Sequence, residues 1–94
     1  MTDLAFYPDY PNAPKRFDRG NGIHLSYLDA GPVDAEPVVM IHGNPSWSYY
    51  WRHLVNGLQD NYRCIVPDHV GMGLSDKPGD GDYAYTLQSR VDDL

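Results

Sequence analysis

The residues best placed to do chemistry are His42-Gly43-Asn44-Pro45-Ser46-Trp47. They stand between an apolar run, Val38-Val39-Met40-Ile41, and a segment whose apolar residues recur at Trp51, Leu54, Val55 and Leu58. That recurrence is the i, i+3, i+4, i+7 stripe of an amphipathic helix. A turn at the carboxyl end of a buried strand is where open α/β sheets bind ligands. The helix behind it aims free backbone N–H groups at the same place. An anion, or an oxygen gaining negative charge, would be stabilised there. Asn44 adds a side-chain amide donor. A purely structural role is open as well: Gly43 supplies an unusual backbone conformation and Asn44 caps the helix.

A second cluster, Pro67-Asp68-His69-Val70-Gly71-Met72-Gly73-Leu74-Ser75-Asp76-Lys77-Pro78, also follows an apolar run. It is not a dinucleotide fingerprint, because Asp76 stands where the third glycine is needed. No Lys-Ser/Thr pair follows it, so it is not a phosphate loop. A tight structural loop crossing beneath the site is the better reading. His24, His42, His53 and His69 show no metal-ligand spacing. Asp80-Gly81-Asp82 is too short for a calcium loop. Neither a metal nor a cofactor is expected.

The elements that must hold these clusters follow from the pattern. Pro8, Pro11 and Pro14 among Phe6, Tyr7 and Tyr10 make residues 1–15 an extended arm whose aromatic rings lie against the body. Gly20-Asn21-Gly22 between alternating stretches predicts an antiparallel hairpin over residues 16–28. Val38–Ile41 and Tyr62–Pro67 read as strands buried on both faces, as in a parallel sheet. The segment from Ser46 to about Asp60 is their crossover helix, capped by Ser46 or Ser48. Thr86 caps a last helix with an apolar face of Leu87, Val91 and Leu94. The expected fold is α/β: a hairpin leading into parallel strands with crossover helices.

The chain has 94 residues, a net charge of −6 and 41% hydrophobic residues. No basic patch offers itself to nucleic acid. The longest apolar run is too short to span a bilayer, and the N-terminus lacks a signal-peptide pattern. Cys64, the only cysteine, sits in a strand pattern and reads as a buried, inert thiol. A cytoplasmic enzyme is the expectation. The sequence stops at Asp92-Asp93-Leu94, inside a helical pattern, and is expected to be the truncated start of a larger domain that spans residues 16–94 here.

These pieces resemble the N-terminal part of α/β-hydrolase-fold enzymes of the haloalkane dehalogenase branch. His42-Gly43-Asn44-Pro45 looks like that branch's oxyanion and halide-binding turn, and Pro67-Asp68-His69 through Ser75-Asp76-Lys77-Pro78 is similar to its second signature loop. Ser46-Trp47-Ser48-Tyr49-Tyr50-Trp51-Arg52 and Tyr85-Thr86-Leu87-Gln88-Ser89-Arg90-Val91-Asp92-Asp93-Leu94 look most like the β-lactone decarboxylases of long-chain olefin biosynthesis. The resemblance implies an aspartate nucleophile on a strand-turn-helix elbow, then water activated by an acid-oriented histidine. Nucleophile, acid and base are all expected downstream, so no catalytic residue lies in this chain. Asn44 is the implied oxyanion or halide donor, with His42, Gly43, Pro45 and Trp47 shaping the turn. The implied substrate is small and hydrophobic, a haloalkane or an alkyl β-lactone. The alternatives are an epoxide hydrolase or serine esterase of the same fold, or a small non-catalytic binding module. Epoxide hydrolases usually carry Arg-Gly-Tyr-Gly where this chain has His69-Val70-Gly71-Met72-Gly73.

Overall fold

The computed structural model describes residues 10, 13–43 and 46–94. Lys15–Asp18 (β1) and His24–Ala30 (β2) pair antiparallel, with Phe17 opposite Leu25. The turn between them reverses through Gly20, Asn21 and Gly22, all at positive φ. Asn21, at φ 57°, is the one non-glycine residue so placed among those described, and Asn tolerates the left-handed region better than most side chains. The predicted hairpin is therefore present, opened by Gly20-Asn21-Gly22.

Pro37–Val39 forms β3 and Arg63–Pro67 forms β4; the two are parallel, with Val38 opposite Cys64. β4 also pairs antiparallel with β2, giving the sheet order β1-β2-β4-β3. Between β3 and β4 the chain makes a 3-10 turn at Ser48–Trp51 and continues as helix α1, Arg52–Leu58. The last helix, α2, covers Leu87–Asp93.

Three expectations need correction. The first is that β3 and β4 are buried on both faces. Burial alternates along β4, with Cys64 and Val66 sealed and Ile65 half-buried, while Val39 is 61% exposed. The reason is one-sided cover. Leu28, Ala30, Cys64, Val66, Met40 and Val55 make one core beneath α1, and Val38, Trp51 and Leu58 pack onto it. The opposite face, with Phe17, Tyr27, Val39, Ile41 and Ile65, lines an open apolar hollow of about 360 Å³ that the end of α2, Asp93 and Leu94, reaches from one side.

The second correction concerns the crossover helix, which is shorter than Ser46 to Asp60. Neither the 3-10 turn nor α1 has a side-chain cap of its own: Ser48 Oγ is engaged with the Tyr10 hydroxyl, and the Ser48 N–H is met by Asp68 from the neighbouring loop. Leu54, expected in the buried stripe, is exposed, and Val55 carries the contact instead. The third correction concerns α2. Thr86 does cap it, accepting from Ser89 N–H at 3.1 Å. Its expected apolar face is nevertheless open, with Leu87, Val91 and Leu94 all more than half exposed. α2 is held by polar contacts: Arg19 Nε donates to Asp93 at 2.7 Å and the Tyr83 hydroxyl donates to the same carboxylate at 2.6 Å.

Candidate functional site

β3 and β4 run parallel and in register, so the segments that leave their carboxyl ends emerge side by side. His42 follows β3 and His69 follows β4. Their rings meet edge to face, with centroids 4.4 Å apart. The His69 backbone N–H donates to His42 Nε2 at 3.0 Å. A nitrogen that accepts carries no proton, so the His42 proton is on Nδ1, which donates to the Gly43 carbonyl at 2.7 Å. The His42 carbonyl lies 3.2 Å from His69 Nε2. A carbonyl only accepts, so His69 is protonated on Nε2. The His42 ring, which accepts at one nitrogen, is thus neutral, and burial, followed by the neighbouring His42, pushes the His69 pKa below its ordinary 6.5.

The loop from Asp68 to Pro78 supports the same region from below. Asp68 is fully buried. Its side-chain oxygens accept from Ser48 N–H at 2.5 Å and from Leu74 N–H at 3.0 Å. One carboxyl group thereby ties the loop to the chain just beyond the site turn. Ser75 adds a second tie, donating to the Asp68 carbonyl at 2.6 Å and accepting from Ser26 N–H at 2.8 Å. Gly73 lets the loops approach: at φ +53°, a Cβ there would sit 2.5 Å from Asp68 Oδ2 and 2.8 Å from Trp47 Cβ. At the outer end, Asp76 accepts from His24 N–H at 2.8 Å and pairs with Arg16. The His24 backbone bond, with Arg16, holds its carboxyl below the usual carboxylate range. The loop is structural, as its glycine and aspartate pattern implies.

Of the sequence-predicted site residues, His42 is buried at the mouth of the strand pair and Gly43 is exposed beside it. Asn44 and Pro45 lie outside the described residues. Trp47 stacks with Tyr49 at 5.4 Å and with Tyr10 at 5.7 Å. The Tyr10 hydroxyl is 2.8 Å from Ser48 Oγ, and burial raises its pKa to about 12. At residue 10, the expectation that the arm's aromatics lie on the body holds.

His42, Gly43 and Ile41 line a hollow of about 270 Å³ together with His69 and, from α2, Leu87, Arg90, Val91 and Leu94. The lining is mostly apolar and carries the cation Arg90. Its Nε is buried without a hydrogen-bond partner among the described residues. Sequence reasoning gives neither His69 nor Arg90 a part in the site. A signal for His69 exists: two parallel strands with matching apolar runs, each followed closely by a histidine. Reading it requires the register of two strands 26 residues apart.

Residues 36–94 match the alpha/beta hydrolase fold family, and the chain belongs to it. A cis-3-alkyl-4-alkyloxetan-2-one decarboxylase of Xanthomonas campestris pv. campestris is 68% identical over 93 residues, covering 94% of this chain and 31% of that protein. Haloalkane dehalogenase 2 of Mycobacterium bovis is 37% identical over 91 residues, covering 94% of this chain and 31% of its own length. A solved structure described under novel epoxide hydrolases of the alpha/beta hydrolases superfamily, from metagenomes of hot environments, superposes with a TM-score of 0.75. It is 40% identical over 86% of this chain and 27% of its own. The chain spans about a third of the length of the curated relatives it matches. Among the described residues no helix is long and apolar enough to cross a membrane.

Proposed function

We propose that this chain is the opening segment of an enzyme that opens an alkyl β-lactone, or breaks a carbon–halogen bond, through an aspartate nucleophile contributed by later residues. The observation that supports this reading is that His42 and Gly43, which open the sequence motif, leave the carboxyl end of β3 beside the loop that leaves β4. The 68% identity to a β-lactone decarboxylase favours the lactone over the haloalkane, and with it a role in making olefins. In the proposed step the aspartate oxygen bonds to carbon while the C–O or C–halogen bond breaks. The electron pair leaves with the lactone oxygen or the halide. Charge grows on that atom, and donors fixed in advance stabilise it more than they stabilise the neutral substrate. Asn44 is the residue proposed to supply such a donor, as an oxyanion or halide ligand. His42, Gly43, Pro45 and Trp47 give the turn its shape.

Residues 16–94 form the N-terminal portion of the hydrolase domain on this reading, and 1–15 an arm against it. The open apolar hollow suits a hydrophobic substrate or the packing of later segments. A lone, fully buried thiol, which burial keeps protonated, supports a cytoplasmic setting. Epoxide opening is a second reading, favoured by the 40% identity to a structure from the epoxide hydrolase group.

Three substrates separate these readings. The full-length protein is offered a cis-3,4-dialkyl β-lactone, a terminal haloalkane and a terminal epoxide, with carbon dioxide, halide and diol as readouts. Lactone loss with release of carbon dioxide and an alkene is the expected result. Diol formation without lactone loss would transfer the assignment to epoxide opening.

A further inference from the structure

We propose that His69 is a positioning residue of this site, acting through its ring N–H on the His42 carbonyl. The inference rests on the function proposed above. Two carbonyls in succession, those of His42 and Gly43, are each held by an imidazole nitrogen, at 3.2 and 2.7 Å. The return contact, His69 N–H to His42 Nε2 at 3.0 Å, closes the arrangement. A peptide unit is planar, so holding a carbonyl also sets the direction of the N–H on the other side of the same unit. The His42 carbonyl belongs to the unit that carries the Gly43 N–H. The His69 ring therefore governs how the chain leaves β3 and enters the turn.

The arrangement is more than packing. His42 accepts at Nε2 and donates at Nδ1, which only the neutral Nδ1–H tautomer can do. His69 must keep its proton on Nε2. An apolar residue at 69 would preserve the backbone N–H contact to His42 and the hydrogen bond from His42 to Gly43. It would lose the bond to the His42 carbonyl, together with the edge-to-face ring contact, and leave that acceptor free to rotate. A misoriented first peptide unit does not prevent substrate from docking against apolar walls. It displaces the donors at the moment charge develops, so the loss falls on kcat and not on KM.

The test uses the full-length protein with the β-lactone, comparing wild type, His69→Leu and His69→Gln. Gln keeps a side-chain N–H donor of similar reach and cannot titrate. His69→Leu is expected to lower kcat about ten-fold with KM within about two-fold, the size of one lost hydrogen bond in a transition state. His69→Gln should recover most of that loss. A Leu variant with wild-type kcat, or a Gln variant as impaired as Leu, overturns the proposal while leaving the functional reading intact. Absence of activity toward lactone, haloalkane and epoxide in the wild type overturns both. Ring ¹⁵N shifts of the wild-type protein test the same hydrogen bonds without any substitution. His42 protonated on Nδ1 and His69 on Nε2 support the arrangement, and His69 protonated on Nδ1 overturns it.

Discussion

The two faces of the sheet are built from the same kinds of residue and meet opposite fates. Leu28, Ala30, Cys64 and Val66 lie on one face and are completely buried. Tyr27, Val39 and Ile65 alternate with them on the other and face an open hollow. Residue type does not distinguish the faces; cover does. α1 lies on the first face, and among the described residues the end of α2 is what reaches the second. The site hangs from the carboxyl ends of the strands, where hydrogen bonds between loops do what side-chain packing does deeper in. On the open side the ties among the described residues are fewer and lie at its rim, where Arg19 and Tyr83 hold Asp93 and Arg63 pairs with Asp29.

If that contrast is right, the largest loss comes from removing a tie between the loops. Asp68→Ala strands the buried N–H of Ser48 and the half-buried N–H of Leu74. At about 1–3 kcal/mol each, the expected cost is about 4 kcal/mol, a large share of the stability of so small a domain and enough to move its urea midpoint far down. A variant that still melts cooperatively near the wild-type midpoint would show that the loop is not held through this side chain.

Much of this is legible in the sequence. Gly20-Asn21-Gly22 signals the hairpin, the β-branched runs signal the parallel pair, and Thr86 signals its helix. What stays hidden depends on contacts across the fold. Val39 and Ile41 are apolar whether or not anything covers them, so periodicity overstates their burial. Ser48 looks like a cap because capping is local. Its Oγ goes instead to the Tyr10 hydroxyl, 38 residues away, and its N–H to Asp68, 20 residues away. The stripe Trp51, Leu54, Val55, Leu58 presumes a regular helix from its first turn, whereas the chain enters through a 3-10 turn that shifts which residues face inward. Of the site, His42 and Gly43 are legible as a turn, but the ring that holds them, His69, becomes visible only in the register of β3 against β4.

The next effect compares the faces directly. Leu28→Ala, at a position 0% exposed, should cost about 3 kcal/mol by cavity formation. Val39→Lys, at a position 61% exposed on the outermost strand, should change stability by no more than about 0.5 kcal/mol. It should also reduce self-association of the 94-residue chain, because an edge lysine blocks strand pairing between copies. Urea melts and sedimentation of both variants check this. Equal destabilisation by the two substitutions would erase the distinction between the faces.

A smaller, pH-dependent effect sharpens it. The His69 pKa is lowered in the folded protein, so below the ordinary 6.5 the unfolded chain takes up a proton that the folded one resists. Stability is full above that value, falls as pH drops toward the lower folded pKa, and is flat beyond it. Asp29, held down chiefly by Arg63, and Asp76, held down chiefly by the His24 N–H, act only further into acid. Their contribution is lost as pH falls past the ordinary 3.8. Between pH 7.5 and about 5.5 the urea midpoint should therefore decline in wild type and decline less in His69→Gln. The same slope in both would remove His69 as its source.

The most direct test of the site is Asn44→Ala in the full-length protein, with turnover and melting measured on the same preparation. The substitution removes the side-chain donor and keeps the backbone one. As an oxyanion or halide ligand, Asn44 predicts turnover lower by about 100-fold, about 2.7 kcal/mol, with the melting curve little changed. As a helix cap it predicts the reverse, a stability loss of about 1 kcal/mol with turnover nearly intact. The first outcome is the one expected; the second would contradict the assignment of the His42–Trp47 turn as the place where charge is stabilised.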